Sequence, residues 1–315
     1  MKTIIQSQGR LFTEAVFIGT ALLMAATAWS QNLFVSGHQD NRIYEFTPGG
    51  VKSTFASGLD NPQGLAFDSA GDLYEADSLS GTISKFTPGG ARSTFASGLY
   101  EPSVVAFDSA GNLYEGDFGS HIANTGFLHK FTPGGAQSTI ATGVNPTGLA
   151  VDKAGDVFMS DIEAGSIFKF TPGGAESVFA WGLNKPFALA FDSAGNLYEA
   201  DSGSGTVYKF TPGGVKSIFA SGLGINNVDG LAFDSAGNLF ASQDGGGHIF
   251  EFTPGGVQST FTTALTYPGQ LAFQPVPEPT FFGLLAVGAA AFLARRRLGL
   301  EGATAQALGP IESGT

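Results

Sequence analysis

Three Glu-x-Asp pairs carry the most evident chemistry in this chain: Glu75 with Asp77, Glu115 with Asp117, and Glu199 with Asp201. Each closes a short apolar run, and in an extended chain residues two apart point to the same side. Two carboxylates on one side offer oxygen ligands suited to a hard cation such as Ca²⁺ or Mg²⁺. Asp161 ends a fourth run of this kind, with Met159 in the Glu position, and Val35 and Ala241 hold that position in two more. An apolar residue there in three runs predicts that the position faces core. A Glu there is costly unless paired, partly solvated or bound to a cation. Asn61, Asn145, Asn184, Asn226 and Asn227, in the loops approaching these sites, add candidate carbonyl ligands. The six carboxylates are thus the predicted metal ligands. The competing reading is that each Asp bonds loop backbone while each Glu reaches solvent.

A second candidate is the long loop Asp117 to Leu128, which holds Phe118, His121, Asn124 and Phe127, with His129 just beyond. Phe118, His121 and Phe127 are the predicted ligand-binding residues, because variable loops on a rigid frame are where binding concentrates. Lone His38 and His248 sit in comparable loops of other repeats and would approach one another if the array closes into a ring. No Ser-His-Asp set, phosphate loop or dinucleotide fingerprint is present, and Gly245-Gly246-Gly247 lacks the strand-then-helix context. Cys is absent, which excludes disulfides, thiolate zinc sites and a Cys nucleophile.

The elements that must position these residues are repeats. Thr-Pro-Gly-Gly begins at 47, 87, 132, 171, 211 and 253, spaced 40, 45, 39, 40 and 42 residues apart. One unit reads as a strand Gly64 to Phe67, an Asp68-Ser69-Ala70-Gly71 turn, a strand Leu73 to Asp77, a strand Thr82 to Phe86, a Thr87-Pro88-Gly89-Gly90 turn and a strand Ser93 to Ala96. The Pro-Gly corner suits a type II turn. Four short antiparallel strands per period of about 40 residues make one propeller blade. The first repeat lacks its opening strand, and the last consists only of one, Gln270 to Phe273. Pairing that strand with the N-terminal blade closes an all-β, six-bladed β-propeller over residues 32–274 and leaves no unpaired edge.

The pattern Pro-x-Gly-Leu-Ala-Phe-Asp…Gly-Asn-Leu-Tyr…Ala-Asp…Lys-Phe, as in Pro62 to Phe86, resembles NHL repeats and the six-bladed gluconolactonase and senescence-marker group. That resemblance implies the propeller fold and, for the gluconolactonase branch, a divalent-metal-dependent hydrolase or lactonase. Those enzymes carry Glu-Gly-Pro at the start of one inner strand. Here the equivalent positions are Gln63, Ser103, Thr147, Phe187, Asp229 and Gly269. The Thr-Pro-Gly-Gly turn is similar to that of streptogramin lyases, whose His/Glu metal site has no repeated counterpart in this chain.

Both ends read as addresses. Lys2 and Arg10 precede an apolar run, Ala15 to Ala28, with a small-x-small site at Ala28-Trp29-Ser30, as in a secretory signal peptide spanning 1–30. At the other end Val276-Pro277-Glu278-Pro279 is followed by apolar Phe281 to Ala294 and Arg295-Arg296-Arg297. This order over 276–297 resembles the PEP-CTERM sorting signal, which implies signal peptidase and an exosortase-type enzyme as processing partners. The apolar stretch reads as a short transmembrane helix, and the arginines hold its end, with the tail 298–315, in the cytoplasm.

Composition narrows the partners. Residues 32–274 hold 23 acidic and 10 basic side chains, net −13, without a basic cluster. A nucleic-acid backbone is therefore excluded as a partner. The reading favours an exported, membrane-anchored and then surface- or matrix-associated binding or structural module over an enzyme. Its ligand would be a polysaccharide or protein, with no cofactor beyond Ca²⁺ or Mg²⁺; the alternative is the gluconolactonase-type hydrolase.

Overall fold

The computed structural model describes residues 31–119, 125–224 and 228–276. They form six four-stranded antiparallel sheets arranged as the blades of a propeller, with one turn of 3₁₀ helix at Asp244–Gly246. Blade 2 shows the plan, its strands running Pro62–Phe67, Leu73–Asp77, Thr82–Phe86 and Arg92–Ser97 from the channel outward. Blade 1 is assembled from both ends of the propeller: Pro268–Phe273 pairs with Leu33–Gly37, setting Leu33 opposite Phe273 and Phe34 opposite Ala272. The ring closes as the sequence predicts.

The hairpin turns correct one expectation. In Thr87-Pro88-Gly89-Gly90 the positive φ, 81°, falls on Gly90, and Gly89 is not left-handed. Gly90 N–H donates to the Thr87 carbonyl at 2.8 Å, and Thr87 N–H to the Ala91 carbonyl at 3.0 Å. This is a type I turn followed by a left-handed glycine, a bulged three-residue hairpin rather than a type II corner. The Thr87 hydroxyl fixes it by accepting the Ala91 N–H at 3.2 Å. On the same face the Asp68 carboxylate accepts the Ala70 and Asp72 N–H groups, each at 2.9 Å.

Many of the phenylalanines in the described residues are explained by how blades meet. An aromatic on the second strand sits edge-on between a Phe of its own outer strand and a Phe of the next blade's inner strand. Tyr74 lies 5.1 Å from Phe95 and 4.8 Å from Phe107, and Tyr198 lies 5.0 Å from Phe219 and 4.9 Å from Phe233. Phe34, Phe158 and Phe240 do the same in blades 1, 4 and 6. Such edge contacts contribute about 0.5–1.5 kcal/mol each beyond the area they bury. They fix the angle between blades, and with it the spacing of the loops above.

Around the channel the inner strands are stitched by side chains. Ser103 Oγ donates to the carbonyls of Gly116 and Pro146 at 2.9 and 3.1 Å, and Thr147 Oγ1 to Pro186 at 2.8 Å. Ser242 Oγ donates to Gly269 at 2.7 Å, and Gln270 Nε2 to Asp229 at 2.6 Å. Glycines alternate with larger residues here: Gly64, Gly148 and Gly230 in blades 2, 4 and 6, against Val104, Ala188 and Gln270. A Cβ on Gly64 would lie 2.7 Å from Val104 Cα.

Candidate functional site

The repeated turns occupy one face of the disc, and the Asp residues that end the second strands lie towards the other. Their carboxylates hold loops. Asp77 accepts the Asp60 N–H at 2.8 Å, Asp161 that of Asn145 at 2.9 Å, and Asp201 that of Asn184 at 2.7 Å. Asp161 also takes the Glu163 and Ala164 N–H groups of its own loop, and Asp201 the N–H and hydroxyl of Ser204. Asn145 and Asn184 therefore meet the carboxylates through their backbones, and Asn61 N–H bonds Asn41. Asn226 and Asn227 lie outside the described residues.

The three Glu residues differ sharply from the Asp set. Glu75, Glu115 and Glu199 are each 0% exposed, and none of their carboxylate oxygens has a hydrogen-bond partner. Burial, reinforced by the charge of the following Asp, pushes Glu75 up to about 8 and raises Glu115 and Glu199 well above the ordinary range. Across the strand pair they face Ser84, His129 and Tyr208 respectively.

What accompanies each pair separates the blades. In blade 2, Arg92 from the outer strand reaches Asp77 Oδ2 at 2.9 Å and Ser84 Oγ at 2.9 Å, and its charge pulls Glu75 part way back. In blade 5 the equivalent Lys216 covers the Tyr208 ring at 3.7 Å, and its charge acts on Glu199 in the same sense. In blade 3 the equivalent residue is Gln137, opposite Phe131 as Arg92 is opposite Phe86 and Lys216 opposite Phe210. There the third member is His129. One ligand atom from each of Glu115, Asp117 and His129 lies within 4.8 Å of the others, and all three residues are buried.

His129 is held on both sides. Its Nδ1 is 3.2 Å from Thr139 Oγ1, its Nε2 is 3.8 Å from Asp117 Oδ2, and its ring stacks on Phe127 at 5.5 Å and 9°. Burial lowers its pKa, opposed by the Asp117 charge, and burial also raises Asp117. Of the predicted ligand-binding set, Phe127 packs on His129 and gives its N–H to Asp117 at 3.0 Å; Phe118 is half-buried beside it. His121 and Asn124 lie outside the described residues. In the sequence His129 stands just beyond the loop; strand register, which sets it opposite Glu115, is what brings it into the cluster.

A separate polar cluster lies where blades 6 and 1 meet. His38 Nε2 is 3.8 Å from Asp244 Oδ1, and the His38 ring is 6.0 Å from Tyr267. His248 instead stacks on Phe250. Burial and the Asp244 charge push Asp229, at the start of the blade 6 inner strand, up to about 7. Among the six inner-strand starting positions it is the one carboxylate.

Fold and C-terminal motif together define the class: a six-bladed β-propeller followed in sequence by a protein-sorting signal. Residues 275–297 match the PEP-CTERM protein-sorting motif, so the chain carries a signal that implies export and membrane anchoring before exosortase processing. Among solved structures, a chain of the nidogen/laminin complex is similar at TM-score 0.70 and 18% identity, over 79% of this chain and 99% of that one. A streptogramin B lyase is similar at TM-score 0.61 and 14% identity, over 77% and 86% of the two chains. A gluconolactonase from Xanthomonas campestris is similar at TM-score 0.60 and 19% identity, over 67% and 79%. Identities this low define the shared propeller and nothing finer. No curated protein matches the chain significantly.

Proposed function

We propose that this protein is a binding or structural module of the cell envelope, exported and then held at the surface or in the extracellular matrix. The sorting motif supports the location. The observation that carries the binding role is Trp181, 77% exposed on the outer strand of blade 4. Equivalent positions in the other blades hold Ser57, Ser97, Thr142, Ser221 and Thr263. The ladder skips Phe179, so Val178 and Trp181 fall on one side of the strand. Val178, and Ile218 in adjacent blade 5, are exposed where the other four blades place Thr54, Thr94, Thr139 and Thr260. An exposed aromatic face with a branched aliphatic side chain on the same side of its strand suits a polysaccharide ring or an apolar protein patch. The test is retention of the purified protein on isolated envelope and matrix material. Trp181→Ser with Val178→Thr and Ile218→Thr should abolish it, and unchanged retention would overturn the reading.

The second reading is a divalent-metal-dependent hydrolase or lactonase, with the carboxylates of Glu75, Asp77, Glu115, Asp117, Glu199 and Asp201 as candidate Ca²⁺ or Mg²⁺ ligands. The asymmetric set Asp229, Asp244 and His38 is what favours it, since one substrate needs one irregular site. Lactone hydrolysis that requires a divalent cation and is lost in Asp229→Asn would establish it.

A further inference from the structure

We propose that Glu115, Asp117 and His129 form a single site for a divalent transition ion of the Zn²⁺ or Mn²⁺ class, built into blade 3 alone. Three blades bury a Glu at the same place, and two of them supply a positive charge from the first residue of the outer strand, Arg92 or Lys216. Blade 3 has Gln137 there and replaces Ser84 or Tyr208 of the third strand by His129. A buried carboxylate needs a compensating charge, and a metal ion supplies what Gln137 does not.

The donor chemistry selects the ion. Two carboxylates and one imidazole suit Zn²⁺, Mn²⁺ or Fe²⁺, whereas Ca²⁺ requires six or more oxygens. The Thr139 hydroxyl lies 3.2 Å from Nδ1, placed to accept a ring N–H there; in that tautomer the Nε2 lone pair, 3.8 Å from Asp117 Oδ2, is free for an ion. Glu115 is fully buried, and neither of its carboxylate oxygens has another partner. A triangle with 4.8 Å edges has its centre about 2.8 Å from each corner, so side-chain rotations of under about an ångström give three bonds near 2.1 Å. The stacked Phe127 ring and the edge-on Phe131 ring, 5.5 and 6.5 Å from His129, wall the site with apolar surface. An ion there would pin the hairpin that frames the one long loop of the array. This inference goes beyond the binding-module reading and is independent of it.

The experiment is titration of the full-length, chelator-treated protein with Zn²⁺, Co²⁺ and Ca²⁺, following heat and the Co²⁺ visible bands. One Zn²⁺ or Co²⁺ per chain is expected, with Ca²⁺ at least about 100-fold weaker. His129→Gln and Glu115→Gln should each weaken Zn²⁺ at least about 100-fold while the strand circular dichroism stays unchanged, and Thr139→Val by roughly 10–100-fold. Glu75→Gln and Glu199→Gln should leave one site intact. Should the ligand variants not fold, the wild-type Co²⁺ spectrum and Thr139→Val decide the matter. Absence of Zn²⁺ and Co²⁺ binding, Ca²⁺ binding tighter than Zn²⁺, or a site indifferent to Thr139 and His129 would overturn the proposal.

Discussion

Arg92 donates through Nη2 to Asp77 Oδ2 at 2.9 Å, and the carboxylate it meets is only 1% exposed. The guanidinium thus serves a buried acid pair from a half-exposed position, spanning from outer to second strand across Ser84. Arg92→Gln, which gives blade 2 the blade 3 residue, removes that charge and leaves Glu75 and Asp77 together. A loss of about 2 kcal/mol is expected, the range for a hydrogen bond to a charged group. It should appear as a lower urea midpoint at unchanged slope. Lys52→Gln in blade 1, where Val35 stands in place of the Glu, should stay within about 0.5 kcal/mol.

The buried Glu residues make metal-free protein less stable as pH rises. Glu75 holds its proton in the folded state up to about 8, against 4.5 for an ordinary Glu. Between those values the folded state binds more protons than the unfolded one, so unfolding free energy falls with rising pH. Its contribution is whole below about pH 4.5 and lost as pH climbs to about 8, at a slope of at most about 1.4 kcal/mol per pH unit. Glu199 acts in the same direction. Melting curves from pH 5 to 8 in the presence of chelator should show the decline, and Glu75→Gln with Glu199→Gln should flatten it. A rise in melting temperature across this window would contradict the burial described.

Gly148 lies where the inner strands of blades 4 and 5 pass close together. A Cβ built on it would run into the Phe187 carbonyl oxygen and lie 3.0 Å from Leu189 N, both backbone atoms of blade 5. Neither can swing aside as a side-chain tip would. Gly148→Ala should cost about 1–3 kcal/mol through overpacking, measured as the shift in urea midpoint. A neutral result would show that the inner ring has slack.

Strand positions were legible from the sequence because turn chemistry repeats. Leu73–Asp77 and Thr82–Phe86 fall where the Asp-Ser-Ala-Gly and Thr-Pro-Gly-Gly signals place them. The turn type was not, since Pro-Gly-Gly leaves open which glycine takes the positive φ, and a Thr hydroxyl bonding the fifth residue decides it. The core-facing place of Glu75, Glu115 and Glu199 could be read from Val35, Met159 and Ala241 in the same column. The side chains that accompany them could not. Arg92, Lys216 and His129 arrive from other strands, and only the register, with its bulge in the outer pair, sets which side chain faces which.

Closure of the ring makes the strongest demand on the fold. Pro268–Phe273 covers the edge of Leu33–Gly37, and the Ser36 hydroxyl takes the Gln270 N–H at 2.9 Å. Beyond the hydrogen bonds, Leu271 and Ala272 enter the cores on either side of blade 1. A chain ending at residue 276 keeps this strand and should run as a monomer in size-exclusion chromatography with light scattering. One ending at residue 267 exposes the edge of Leu33–Gly37 together with the apolar surface around Val35 and Tyr44. Unpaired edges recruit strands from other chains, so dimers or aggregates are expected, and added synthetic Pro268–Phe273 peptide should compete with them. A stable, monomeric 267-residue chain would show instead that blade 1 holds on three strands, and that contacts between blades outweigh the closing strand.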